Sequence, residues 1–147
     1  MAEINKCNIP EDLYYDVDKH VWARLEGDGT VTVGMTDPAQ SRAGAILYAH
    51  PKRVGATLAK GKSTATVESG KWVGPVPAPF TGEVVAANDD LNKDGSIINK
   101  DPYGAGWIVK LKPADLEAEK AALVYGKEGV EAYRKKLQEE NYSCAKE

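Results

Sequence analysis

Apolar and polar positions alternate in short runs over residues 13–112, a stretch rich in Val, Thr, Gly and Pro. Alternation with a period of two, broken by turn residues, predicts β-strands joined by tight connections. Val21-Trp22-Ala23-Arg24-Leu25-Glu26 follows this pattern and runs into Gly27-Asp28-Gly29. Thr30-Val31-Thr32-Val33-Gly34 then repeats it, which predicts a hairpin with a glycine-containing turn. Thr36-Asp37-Pro38-Ala39-Gln40 offers a capping side chain with proline close behind it, the start of a short helix. Ala45 to Ala49 reads as another strand, ended by Pro51.

Between Val54 and Asn99 one pattern is used twice. Val54-Gly55-Ala56-Thr57-Leu58 leads through Lys60-Gly61-Lys62 to a strand from Ser63 to Glu68. Thr81-Gly82-Glu83-Val84-Val85 leads through Asn88-Asp89-Asp90-Leu91 to Gly95-Ser96-Ile97-Ile98-Asn99, read as the matching strand. Ser69-Gly70-Lys71-Trp72 lies between the halves as a tight reversal carrying a lysine. Two similar β-halves around one exposed hairpin predict a small symmetric sandwich. From residue 113 to 141 the composition turns to Ala, Glu, Lys and Leu, the signature of helix. Asp115 stands near a helix start, Gly126 and Gly129 interrupt the pattern, and Val130, Tyr133 and Leu137 share one face of a second helix. That spacing reads as packing onto a core, with partner docking as the alternative.

Composition narrows the field. At 147 residues the chain has room for one domain, which can bury roughly 70% of its unfolded surface. Nineteen Lys and Arg against 22 Asp and Glu give a net charge of −3, which argues against a nucleic-acid binder. No apolar run reaches membrane-spanning length, and Met1-Ala2-Glu3-Ile4-Asn5-Lys6 has no apolar signal core, so the expected location is cytoplasmic. Cys7 and Cys144 sit at opposite ends without metal-ligand spacing, and His20 and His50 fall in no ligand cluster. We therefore expect no metal site and no disulfide framework, with both cysteines as surface thiols near the termini.

Two apparent motifs dissolve on inspection. Gly61-Lys62-Ser63 resembles a phosphate-binding loop, but Ala56 stands where the first glycine belongs and the flanks are strands. Cys144-Ala145-Lys146-Glu147 places a lysine where a prenylation box needs an aliphatic residue. Lys71 is the position that gathers support. The strand residues Ala65-Thr66-Val67 lead to it, Glu68 stands three residues before it, and Gly70 precedes it where a positive φ is expected. Gly74-Pro75-Val76-Pro77-Ala78-Pro79-Phe80 stiffens the return path. A rigid platform offering one amine suits a modifying ligase and a swinging arm alike.

Val67-Glu68-Ser69-Gly70-Lys71 resembles the lipoyl-attachment hairpin of the glycine cleavage system H-protein. Val33-Gly34-Met35-Thr36-Asp37-Pro38-Ala39-Gln40 is similar to that family's strand-to-helix passage. Asn99-Lys100-Asp101-Pro102-Tyr103-Gly104-Ala105-Gly106-Trp107-Ile108 is similar to its signature loop and final core strand. Other positions depart from it. Gly70 and Trp72 flank the lysine where H-proteins usually have Val and Ala, and Gly44-Ala45 and Ala49-His50-Pro51 replace a Gly-Asp and an acidic-Leu-Pro segment. Trp72 and the proline-rich return look closer to the lipoate-binding proteins of sulfur oxidation, H-protein relatives that work with a heterodisulfide-reductase-like complex. Biotinyl carriers fit less well, because they flank their lysine with methionines.

The resemblance implies a mainly β fold, a lipoyl/biotinyl-type barrel-sandwich hybrid with a short internal helix and C-terminal helices. One carrier domain spans 1–147, its β core about 13–112 and its helical segment about 113–141. It implies lipoate in amide linkage to Lys71, with Glu68, Ser69, Gly70 and Trp72 forming the attachment hairpin. Glu68 and Gly70 would help to present the lysine, and Trp72 would either shelter the arm or pack on the barrel. His50 is a further candidate beside the loaded arm. The implied function is that of a cofactor-carrying substrate protein, not an enzyme, shuttling sulfur-containing intermediates in cytoplasmic sulfur oxidation. The alternative is an H-protein carrying the aminomethyl group of glycine cleavage. Implied partners are a lipoate-protein ligase, heterodisulfide-reductase-like subunits and a dihydrolipoamide dehydrogenase, with neither nucleic acid nor membrane insertion.

Overall fold

The computed structural model describes residues 2–144. Met1 and the Ala145-Lys146-Glu147 tail read against the prenylation box lie outside them. The chain opens with β1 (Ala2–Ile4) and β2 (Cys7–Ile9), an antiparallel pair, followed by β3 (Tyr14–Asp16), β4 (Val21–Leu25) and β5 (Val31–Met35). Helix α1 (Asp37–Ala43) leads to β6 (Ile46–Pro51), β7 (Thr57–Leu58), β8 (Ser63–Ser69), β9 (Val73–Pro77) and β10 (Gly82–Ala87). A 3-10 turn, α2 (Ser96–Lys100), β11 (Val109–Pro113), α3 (Leu116–Lys120), β12 (Val124–Tyr125) and α4 (Gly126–Glu140) complete the order. Seven strands form one antiparallel sheet in the order β12-β3-β4-β5-β11-β10-β7, and β6-β8-β9 form a second. The fold is the mainly β arrangement with short helices that the sequence predicts.

The main core lies between these sheets, from Val21, Ala23, Val31 and Val33 on one side to Ala49, Ala65, Val67 and Val76 on the other. β4 shows why the alternation appears incomplete. Val21 and Ala23 enter this core, whereas Trp22 points to the opposite face and is equally buried. A second core forms there from Ile4, Cys7, Ile9, Tyr15, Trp22, Val130, Tyr133 and Leu137. Gly34 on the neighbouring strand makes room for the indole, since a Cβ would stand 2.6 Å from the ring. The α4 face of Val130, Tyr133 and Leu137 is thus core, as its spacing predicts. The helix begins at Gly126, where a left-handed φ of 62° turns the chain out of β12, so that glycine starts the element instead of breaking it.

Two expectations are corrected. Gly95 to Asn99 fall at the N-cap of α2 and in its first four positions, not in a strand, so the second half of the apparent repeat does not match the first. The Asp94 carboxylate accepts from the Ser96 backbone N–H (3.0 Å) and its hydroxyl, which starts a helical turn where alternation alone suggests extension. Cys7 and Cys144 are not surface thiols but form a disulfide, both half-cystines buried. The β1–β2 turn and the residues after α4 lie side by side, with the Cys144 N–H donating to Asn5 O (2.9 Å) and the Asn5 amide donating to Tyr142 O (2.9 Å). A sequence separation of 137 residues concealed that proximity.

Candidate functional site

Strands β8 and β9 end in the reversal predicted around Lys71, their last paired residues being Glu68 and Val73. Ser69 closes it: its N–H donates to Trp72 O at 2.8 Å and its hydroxyl at 3.3 Å, while the Lys71 N–H donates back to Ser69 Oγ at 3.3 Å. With the turn fastened this way, Gly70 does not take the positive φ expected of it, and a Cβ there would meet nothing within 4 Å. Glu68 sits between Tyr48 of β6 and Val73 of β9, half-buried. Lys71, Trp72 and Val73 are all exposed, and among the described residues the Lys71 amine makes no ion pair.

The Lys71 stem crosses the end of α1. Thr36 caps that helix, its hydroxyl accepting from the Ala39 N–H at 3.3 Å, and Gly44 ends it with a φ of 81°. A Cβ on Gly44 would lie 2.9 Å from Lys71 Cε and 3.7 Å from Nζ, so the missing side chain forms a cradle for the lysine stem. Asn99 of α2 fixes this corner by donating to Gly44 O (2.9 Å) and Gln40 Oε1 (2.8 Å) and accepting from the Ile46 N–H (2.8 Å). Gly44 and Asn99 were visible as sequence but not as site residues. The local signal was a glycine following a seven-residue helix, here with φ 81° and ψ −162°, an extended conformation that essentially only glycine adopts.

Beside the hairpin lies a cavity of about 220 Å³, walled by Met35, Ala39, Ala43, Trp72, Pro75 and Val76. The polar part of its lining is Lys19, His20 and Arg42. The Trp72 ring packs over Gly74, where any Cβ would collide with it, and forms one wall of this space. His20 occupies the left-handed region (φ 59°), contacts the Tyr133 hydroxyl through Nδ1 at 3.1 Å and stacks on that ring. Burial first, then the nearby Arg42 and Lys136 charges, lowers its pKa to about 4, so the imidazole is neutral at pH 7. The Tyr133 hydroxyl also meets Thr36 Oγ1 (3.1 Å), and burial holds its pKa above the usual phenol range. His50 stands elsewhere: it bonds Asn92 (2.6 Å), stacks with Tyr48, and does not line the cavity.

The signature loop closes the same side of the molecule. Tyr103 donates to Asn8 O at 2.6 Å and accepts from the Asp37 N–H at 2.8 Å, tying β2 to the start of α1. A glycine cleavage H-protein family model matches residues 13–140. The chain belongs to that family. It is 49% identical over 147 residues to glycine cleavage system H protein 2 of Aquifex aeolicus, covering all of this chain and 91% of that one. It is 44% identical over 146 residues to a probable H protein 2 of Saccharolobus solfataricus, covering 98% of each. A crystal structure of a Mycobacterium marinum H protein superposes with a TM-score of 0.67 at 36% identity, covering 72% of this chain and 87% of the other. H-proteins hold lipoate covalently on a lysine and act as carriers, not catalysts. Cys7 and Cys144 both fall outside the residues that the family model matches.

Proposed function

We propose that Lys71 is the lipoylated lysine, and that residues 1–147 form one carrier unit which presents the arm to successive enzymes. The carrying observation is the Lys71 amine at the hairpin tip, without an ion pair among the described residues, its stem laid across the side-chain-free face of Gly44. An exposed, unpaired ammonium is accessible to a ligase, whereas one locked in a salt bridge would first have to be freed. Ser69 holds the turn, the β8–β9 ladder supports it, and Glu68 adds a carboxylate on the approach. Lipoate supplies a strained cyclic disulfide that opens to two thiols. The chain's own part is to fix the attachment point and to offer the adjoining cavity, with Trp72 as one wall.

The relatives' names support glycine cleavage as the setting, with the aminomethyl group as cargo and lipoate ligase and lipoamide-dependent enzymes as partners. A second reading makes the chain a carrier in cytoplasmic sulfur oxidation, working with a heterodisulfide-reductase-like complex and a dihydrolipoamide dehydrogenase. It is favoured by the cavity lining, where Lys19, His20 and Arg42 appear without a carboxylate. A reconstituted glycine decarboxylation assay separates the two. Robust turnover with the other glycine-cleavage proteins supports the first, and none despite full lipoylation supports the second. Lys71→Arg preserves the charge and abolishes lipoylation under either reading; a Lys71→Arg protein that still carries lipoate would contradict both.

A further inference from the structure

The segment from Asn99 to Ile108 is remote from Lys71 in sequence, yet the fold sets its first residue beside the lysine's supports. Asn99 lies in α2 and is half-buried. Its amide oxygen accepts from the Ile46 N–H at 2.8 Å, and its nitrogen donates to Gly44 O at 2.9 Å and to Gln40 Oε1 at 2.8 Å. A backbone donor on one side and a backbone acceptor on the other leave the amide a single orientation.

These bonds bridge the turn from α1 into β6. Gly44 underlies the Lys71 stem, since a Cβ there would lie 2.9 Å from Lys71 Cε. Ile46 opens β6 and pairs with Ser69, the residue whose N–H and hydroxyl close the Lys71 turn. One side chain therefore ties the floor under the lysine stem to the strand beside its hairpin. Glycine has the freest backbone of any residue, so the Gly44 carbonyl depends on such a tie to stay in place.

Asn99 is itself gripped from two sides. The Gly95 N–H donates to Leu47 O at 2.9 Å, and a Cβ on Gly95 would stand 2.8 Å from the Leu47 carbonyl carbon, so α2 lies directly on β6. The loop after the helix closes over it. The Asp101 N–H donates to Ile97 O and the Gly106 N–H to Asp101 O, both at 2.9 Å. A Cβ on Gly106 would lie 2.8 Å from Ile98 Cα. A helix of five residues cannot hold its own shape, and strand and loop hold this one.

We infer that Asn99 is a positioning residue for acylation of Lys71, and that the Asn99–Ile108 segment serves the attachment site by holding that side chain. Asn99 acts through Gly44 and Ile46. A stem already laid in place loses less rotamer freedom when its amine is brought to the acyl carbon. The inference rests on Lys71 being the lipoylated lysine.

The step is acyl transfer. Deprotonated Lys71 Nζ attacks the carbonyl of lipoyl adenylate, which a lipoate-protein ligase makes from lipoate and ATP. The amide C–N bond forms as the C–O bond to AMP breaks, and Nζ gives up one more proton. Full-length protein without lipoate is loaded by the ligase, and transfer is followed by mass at the Lys71 peptide. Asn99→Ala should lower kcat about ten-fold, the scale of one or two lost hydrogen bonds. KM should stay within about two-fold, because the exposed hairpin that meets the ligase is unchanged. Asn99→Asp keeps the acceptor for Ile46 but offers no donor to Gly44 O, and should be slowed as much. Gly34→Ala strains the Trp22 layer instead and controls for general loss of stability, so it should load at the parent's rate.

Nuclear magnetic relaxation at Lys71 Cε in the unloaded protein gives a second readout that needs no ligase. Lys71 Cε should be more ordered than those of Lys60 and Lys62, exposed lysines with no ion pair among the described residues, and should fall to their level in Asn99→Ala. A parental kcat in Asn99→Ala, an equal slowing in Gly34→Ala, or a parent Lys71 as mobile as Lys60 overturns the positioning role while the carrier reading stands. A parent protein loaded on another lysine, or on none, overturns the carrier reading and the inference with it.

Discussion

At the Lys71 hairpin three consecutive residues, Lys71, Trp72 and Val73, are exposed, and Ser69 supplies the side-chain hydrogen bonding that closes the turn. In the terminal layer Cys7, Ile9, Tyr15, Trp22, Tyr133 and Leu137 are all fully buried. There the Tyr15 and Tyr133 rings meet edge-on at 5.6 Å, and a disulfide joins the layer's two ends. Under the proposed function one region would present a group to other proteins, and the other braces the surface from which it would be presented. The two meet at α1, whose start is bonded to β2 and Tyr103 and whose end carries the Gly44 cradle. Support for the tip is therefore relayed from the terminal layer through α1.

Separating brace from tip gives effects of graded size. Cys144→Ser opens a loop closed over 137 residues and should cost about 4 kcal/mol of stability by denaturant unfolding. Lipoylation of the protein that remains folded should be unchanged, and a loss of lipoylation in that fraction would mean that brace and tip are not separable. Gly34→Ala forces a methyl against the Trp22 ring and should cost roughly 1–3 kcal/mol, again without effect on the arm.

His20 joins the two regions and gives a pH signature. Its folded pKa of about 4 lies below the usual 6.5, so the unfolded chain binds the extra proton first. The stabilisation from keeping it neutral is complete above pH 6.5 and is lost as the pH falls toward 4, by about 3 kcal/mol. His20→Asn tolerates the left-handed backbone and should flatten that part of the stability profile relative to the parent. An identical slope in both proteins would place the titration elsewhere. Gly44→Ala has the smallest expected effect on folding, roughly 1 kcal/mol for a strained φ. Its larger consequence should be a slower ligase reaction, because the added methyl lies 2.9 Å from Lys71 Cε.

The comparison also explains what could be read from the sequence. The hairpin and its lysine were legible because strands, turn residues and the amine all lie in one continuous segment from Ser63 to Pro77. The Val21–Gly34 hairpin, the Thr36 cap and the apolar face of α4 were legible for the same local reason. The terminal brace was not, since Cys7 meets Cys144 and Asn5 meets Tyr142 only once the whole chain is folded. Residues 95–99 misled because Ile97 and Ile98 resemble strand interior, while the Asp94 bonds that begin the helix leave little trace in an apolar–polar pattern. The cavity was hidden in the same way: Lys19, Arg42 and Trp72 come from three separate elements and acquire a common meaning only through their juxtaposition.

The most direct test of the account is peptide mass mapping of the protein isolated from its native host, read at the Lys71 peptide. The account predicts a lipoyl group in amide linkage at Lys71 and at no other lysine. A bare Lys71 under every growth condition, or a lipoyl group on a different lysine, would contradict it.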